Sequence, residues 1–257
     1  MGNKKDRTGE CGITNEGERV EIIKYNSFSD IEVKIISSGE IIKSTYKEFL
    51  NGNIKSHFTP TIYGVGWKGL FPSKINGIDV YEYSIWHGIL KRCYDKNFQE
   101  KQPTYKDCIV CKEWHFYGSF KKWFNDNYYD FEDEKMCVDK DILIKGNKIY
   151  SPETCIIVPQ RINNLFTKNN IRRGKYPIGV YYKRDSKKFR SQCSICGDDG
   201  KKFRQIYLGE FNTPEEAFYK YKEFKENYIK EVAEEYKNKI PMKLYEAMIN
   251  YKVDIND

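Results

Sequence analysis

The chain has 257 residues and a formal net charge of +7, with 44 Lys and Arg against 37 Asp and Glu. A hydrophobic content of 39% and a mean hydropathy of −0.75 argue against one large apolar core and for two or three small ones. No apolar run approaches the roughly 18–20 residues of a membrane helix, and Met1-Gly2-Asn3-Lys4-Lys5-Asp6 offers neither a signal-peptide core nor a myristoylation pattern, so a cytoplasmic chain without a membrane partner is expected.

Residues 1–18 are polar and glycine-rich, expected as an arm that orders on contact or as a frayed start. Glu21-Ile22-Ile23-Lys24-Tyr25 and Asp30-Ile31-Glu32-Val33-Lys34-Ile35 follow as strands. In the second, Ile31, Val33 and Ile35 share one face against Glu32 and Lys34. Ser38-Gly39 turns into Ile41-Ile42, and residues 46–52 close a small β-rich module over 1–70 that leaves through the Gly-rich segment Tyr63 to Gly69. Between 78 and 95, Ile85, Ile89 and Cys93 form one helical stripe and Trp86, Leu90 and Tyr94 the next. Residues 112–124 are expected as a second amphipathic helix, with Phe116, Phe120, Trp123 and Phe124 on its apolar face. His87 and His115 lie in these aromatic helices as packing or surface residues.

Residues 136–166 carry the densest pattern. Met136-Cys137-Val138-Asp139-Lys140-Asp141-Ile142-Leu143 is a strand that ends on carboxylates. Gly146-Asn147 is a turn, Tyr150-Ser151-Pro152-Glu153 a loop, and Val158-Pro159-Gln160-Arg161-Ile162-Asn163-Asn164 leads into a short helix. Strand, second strand and helix in that order wrap one small oxygen-ligand site.

After a polar, basic linker, residues 178–182, 188–195 and 203–211 form three strands, with turns at Asp185-Ser186 and Gly197-Asp198-Asp199-Gly200. Thr213, Pro214 and Glu216 form the capping box of a long helix, whose stripe is Ala217, Tyr221, Phe224, Tyr228 and Val232. Pro241 breaks it before a short helical tail over 241–257. From 171 to 207 eleven Lys and Arg face three Asp, a net +8 that leaves the rest of the chain near −1. Such a focus is the footprint of a polyanion site. A solvated basic linker is the alternative, and the interleaved Tyr176, Tyr181, Tyr182, Phe189, Phe203 and Tyr207 argue for a folded surface instead.

The eight cysteines include Cys108-x2-Cys111 and Cys193-x2-Cys196. Both pairs sit in strand-like or aromatic contexts where reduced thiols serve as small core residues. A structural zinc is not expected; Cys108 and Cys111 with Cys137 and Cys155 would be its arrangement.

The 136–166 pattern resembles the ββα-metal core of HNH homing endonucleases, in the version carried by phage proteins. Trp86…Arg92-Cys93-Tyr94 and Cys111-Lys112-Glu113-Trp114 match, in order, segments that precede that core. Gly179-Val180-Tyr181, Leu208-Gly209-Glu210-Phe211 and the Thr213-Pro214-Glu215-Glu216-Ala217 helix start look like the AP2 DNA-binding domain. The fold class implied is α+β and multi-domain: an accessory β module (1–70), an HNH-like core with preceding helices (71–168), an AP2-like sheet and helix (169–240), and the tail (241–257).

What the resemblance implies is a DNA endonuclease or nickase with catalytic Asp139, Lys140 and Asn163. Asp139 and Asn163, with Asn164 the weaker choice, would hold a divalent metal, Mg²⁺ or else Mn²⁺. Lys140 departs from the family: it stands where the general-base His is expected, and no His lies within 116–257. Either a lowered Lys pKa or a phosphate-clamping role would answer that departure. On the AP2-like sheet, Tyr181, Lys183, Lys188, Arg190, Gln192, Gln205 and Tyr207, with Arg172 and Arg173 before it, would contact double-stranded DNA. Arg190 and Gln192 are the base readers, and Lys183 and Lys188 the phosphate contacts. The competing expectation is a non-catalytic binder that keeps the fold, a phage regulator or an inhibitor with a host protein partner.

Overall fold

The computed structural model describes residues 6–131, 134–167, 175–197 and 203–256. It is an α+β chain with several small sheets, divided into two compact units: Met1–Pro72 with His115–Gly118, and Ser73–Trp114 with Ser119–Asp257. Among the described residues no helix is long and apolar enough to cross a membrane.

The first unit is an antiparallel meander of β1 (Cys11–Ile13), β2 (Arg19–Ser27), β3 (Asp30–Ile35) and β4 (Ile41–Ser44), followed by α1 (Tyr46–Leu50). Period-two alternation puts Ile31, Val33 and Ile35 into one core with Val20, Ile22, Tyr46, Phe49 and Ile54. Two expectations change here. The segment from Asp6 onward is not a loose arm, because β1 pairs with β2 and the Arg7 guanidinium lies 4.1 Å over the Tyr46 ring. Residues 46–50 are helical because the Thr45 hydroxyl caps the Glu48 N–H at 3.2 Å, and one turn then delivers Tyr46 and Phe49 to the same core.

The expected helix over 112–124 is also interrupted. Lys112–His115 is a 3-10 turn, and α4 (Tyr117–Asn127) starts only after Phe116. Trp67 explains the break: its N–H donates to the His115 carbonyl, its carbonyl accepts the Tyr117 N–H, and its ring stacks on Phe116 at 5.9 Å.

The second unit opens with a hairpin, β5 (Lys74–Ile75) and β6 (Ile78–Asp79), and continues through α2 (Tyr81–Tyr94), α3 (Lys96–Lys101) and β7 (Ile109–Val110). The expected stripes on α2 bury Trp86, Ile89, Leu90 and Cys93. Trp86 donates its indole N–H to the Trp114 carbonyl at 2.7 Å, and Trp114 packs edge-on against Phe120 at 5.0 Å. Then come β8 (Met136–Asp139), β9 (Ile149–Tyr150), which pairs in parallel with β7, β10 (Ile156–Pro159), antiparallel to β8, and α5 (Gln160–Phe166). The ribbon and its helix are the strand–strand–helix order expected over 136–166.

A three-stranded antiparallel sheet follows: β11 (Val180–Lys183), β12 (Lys188–Cys196) in the centre, and β13 (Phe203–Phe211). Then come α6 (Pro214–Glu235), with the Thr213/Glu216 capping box formed, and α7 (Met242–Ile249). Gly179 is required: its φ is +79°, and a Cβ there would lie 2.1 Å from the Tyr221 ring of α6. The expected stripe on α6 is buried at Ala217, Tyr221 and Val232, while Phe224 and Tyr228 are only partly buried and Phe218, Lys225 and Ile229 join the buried face. Helix α5 ties the ribbon to this sheet through an Asn164 carboxamide 3.8 Å from the Cys196 sulfur, and to the end of α6 through an Arg161–Glu235 ion pair at 2.6 Å.

Candidate functional site

Strand β8 stops at Asp139 because that carboxylate turns the chain. Its Oδ1 accepts the N–H groups of Asp141 at 2.6 Å and Ile142 at 2.8 Å. Oδ2 has no hydrogen-bond partner among the described residues. Burial pushes the Asp139 carboxyl above its ordinary range, against the opposing pull of the two N–H bonds. On α5, the Asn163 carboxamide likewise has no partner among the described residues. Asn164 is committed elsewhere, accepting from Gln160 at 2.9 Å as well as reaching Cys196.

Asp139 and Asn163 line one groove of about 790 Å³. Its walls are β8, the turn around Gly146, the Ser84–Gly88–Arg92 face of α2, and α5. Arg92, Lys135, Lys140, Lys145 and Lys148 reach this groove against Asp139 and Asp141, so its rim is cationic. None of the three histidines lines it.

Lys140 is held by its own loop. Its ammonium donates to Asp141 Oδ2 at 2.7 Å and to the Asn147 carbonyl at 2.8 Å, and its side chain is only 7% exposed. The Asn147 carboxamide in turn bonds the Lys140 and Ile149 carbonyls at 2.8 and 2.7 Å, and Gly146 makes the turn at φ +77°. This closed loop orients the groove floor.

Arg92 is a groove residue that the sequence marked only as a family landmark. Its Nε donates to the Tyr150 hydroxyl at 3.2 Å, and its guanidinium lies over the Tyr105 and Tyr150 rings. Neither Nη atom donates to a described residue. The signal available in the sequence was the run Ser84, Gly88, Arg92, two small residues and an arginine on one helical face.

The donor set suits a hard divalent ion. One carboxylate oxygen and one carboxamide, completed by phosphate and water, is the economy with which Mg²⁺ is held. Among the described residues no group of three or more His, Cys, Asp or Glu is arranged to hold a metal. All eight cysteines are free, and burial pushes the Cys93 and Cys155 thiols up to about 12. The chain matches no family model, no curated protein and no solved structure.

On the three-stranded sheet, Ser191 and Cys193 are buried and Ile195 packs on the same core, while Lys188 and Ser194 are exposed. Tyr181, Arg190 and Glu210 form one cross-strand row, and Gln192 pairs with Tyr207 in the next, beyond a bulge at Ser191/Gln192. Lys183 and Lys188 face each other across β11 and β12, and Gln205 lies opposite Ser194. The expected contacts at Arg172 and Arg173 lie outside the described residues.

Proposed function

We propose that this protein grips double-stranded DNA and hydrolyses a phosphodiester in the groove of its ββα element, as an HNH-type endonuclease or nickase guided by the AP2-like sheet. The observation that carries this reading is that Asp139 and Asn163, each with a side-chain oxygen that no described residue occupies, line the same cation-rimmed groove. Asp139 and Asn163 would hold Mg²⁺ or Mn²⁺, which when bound supplies charge stabilisation to the scissile phosphate and acidifies the attacking water. Arg92 and Lys135 bind the flanking phosphates through N–H groups that no described side chain occupies. Lys140 acts as the brace of the groove floor and contributes a fixed positive charge. With no histidine on the groove, the water proton leaves to solvent or to Asp141, whose side chain is 47% exposed.

The Lys140 geometry also supports a second reading. An ammonium locked to Asp141 and Asn147 is a poor general base, which favours a non-catalytic DNA- or protein-binding factor on the same scaffold.

Supercoiled plasmid incubated with the protein and Mg²⁺ or Mn²⁺ separates the two. Nicked circles that fall at least about a hundredfold in Asp139→Ala and Asn163→Ala support the enzyme. Retarded but uncut plasmid under both metals leaves only the binder.

A further inference from the structure

The outer face of the three-stranded sheet contains a carboxylate among the cations expected to meet DNA. Arg190 donates from Nε and Nη2 to Glu210 Oε1 at 3.2 and 2.8 Å, and Lys183 Nζ lies 3.6 Å from the same oxygen. The Arg190 guanidinium sits between two rings, 5.6 Å from the Tyr181 centroid and 5.2 Å from that of Tyr207. Strand register makes this a built arrangement, since Glu210 and Tyr181 are the direct partners of Arg190 on either side. Lys183 and Lys188 are also direct partners, a like-charge pair that costs energy without a counter-charge nearby. Glu210 is only 19% exposed, and Arg190 27%. The pair is therefore more than a solvated rim contact.

We propose that Glu210 is a specificity-determining residue of this sheet. It occupies Arg190 and Lys183 as an internal substitute for phosphate, so that a duplex gains these two cations only by displacing it. The inference rests on the reading of the sheet as a DNA surface. A phosphate offers Arg190 about what Glu210 already provides, and it is repelled by the carboxylate left behind. A guanine edge offers a bidentate pair at O6 and N7 that phosphate-only contact cannot supply. Glu210 thus lowers affinity for every sequence and lowers it least where Arg190 finds guanine.

The test uses the full chain and fluorescence anisotropy on two probes: a random-sequence duplex, and the duplex that the wild-type protein enriches from a random pool. Glu210→Gln, which keeps the shape and removes the charge, is expected to bind the random duplex roughly three- to tenfold tighter at low salt. Its slope of log K against log salt should steepen by up to about one, and its preference for the enriched duplex should shrink. Glu210→Ser should move all three quantities in the same direction, which guards against a variant-specific fold defect. Unchanged affinity for the random duplex, an equal gain on both probes, or no enrichment by the wild type would overturn the proposal. Arg190→Ala keeps its failure distinct from that of the underlying reading. If Arg190→Ala weakens binding while the Glu210 variants do nothing, only the Glu210 role is lost. If all of them bind as wild type, the sheet is not the DNA surface.

Discussion

Asp139 and Lys140 are neighbours in sequence that the local geometry sends to opposite duties. One Asp139 oxygen closes a turn and the other has no partner among the described residues, whereas the Lys140 ammonium is turned onto its own loop and lies over the Tyr150 ring at 5.8 Å. Removing the Lys140 ammonium leaves the Asn147 carbonyl without its donor and Asp141 without its partner. Lys140→Met, which keeps the apolar stem, is therefore expected to cost about 1–3 kcal/mol, at the low end because Asp141 is half exposed. Asp139→Asn should cost less, since an amide oxygen can still accept both N–H groups. Urea unfolding checks both, and a Lys140→Met midpoint equal to wild type would contradict the bracing role.

At the scale of the element, α2 carries a glycine in its interior on the face that lines the groove. Gly88 lies mid-helix with only Arg92 Nη1, at 3.9 Å, near the place of a Cβ. Nothing in the packing requires glycine there, and an interior glycine costs roughly 0.5–1 kcal/mol relative to alanine. Gly88→Ala is thus expected to raise the melting temperature while weakening DNA binding, because the methyl group narrows the groove beside Arg92. Higher stability with unchanged binding would separate α2 from the ligand path.

The long elements were legible because their signals are local. The Thr213/Glu216 cap and the Trp86/Leu90 stripe need nothing beyond one helix. The break at Phe116 was not legible, because its cause is Trp67, far back in the chain. Helix α1 was missed because five residues are too few to show a period, and the decision rests on the Thr45 cap. Lys225 lies buried on α6 because its stem covers the sheet near the Cys193 and Cys196 thiols, and burial lowers its pKa; the expected stripe did not include it. The site divides in the same way. Asp139 and Asn163 were expected from the resemblance and both line the groove, but Arg92 becomes a groove residue only through the fold, where the Tyr81 hydroxyl of α2 donates to the Met136 carbonyl of β8 and Arg92 Nε to Tyr150 of β9.

For the whole molecule, every residue lining the groove comes from the second unit, which also holds the three-stranded sheet. Residues 250–256 reach back to that groove: Tyr251 packs edge-on against Phe166 of α5 at 4.8 Å, and Lys145 donates to the Lys252 carbonyl at 3.0 Å. Helix α5 thus lines the groove through Asn163 and Phe166 and bonds the three-stranded sheet at the buried Cys196 through Asn164. The proposed hydrolysis depends most on the chemistry of one corner of that unit. A crystal of the protein with a DNA duplex and Mn²⁺, examined for anomalous scattering, tests it most directly. The account predicts a single manganese peak bonded to Asp139 Oδ2 and the Asn163 carboxamide, with a phosphate oxygen in the same shell. Manganese bound elsewhere, or DNA lying across the groove with no metal between Asp139 and the backbone, would contradict it.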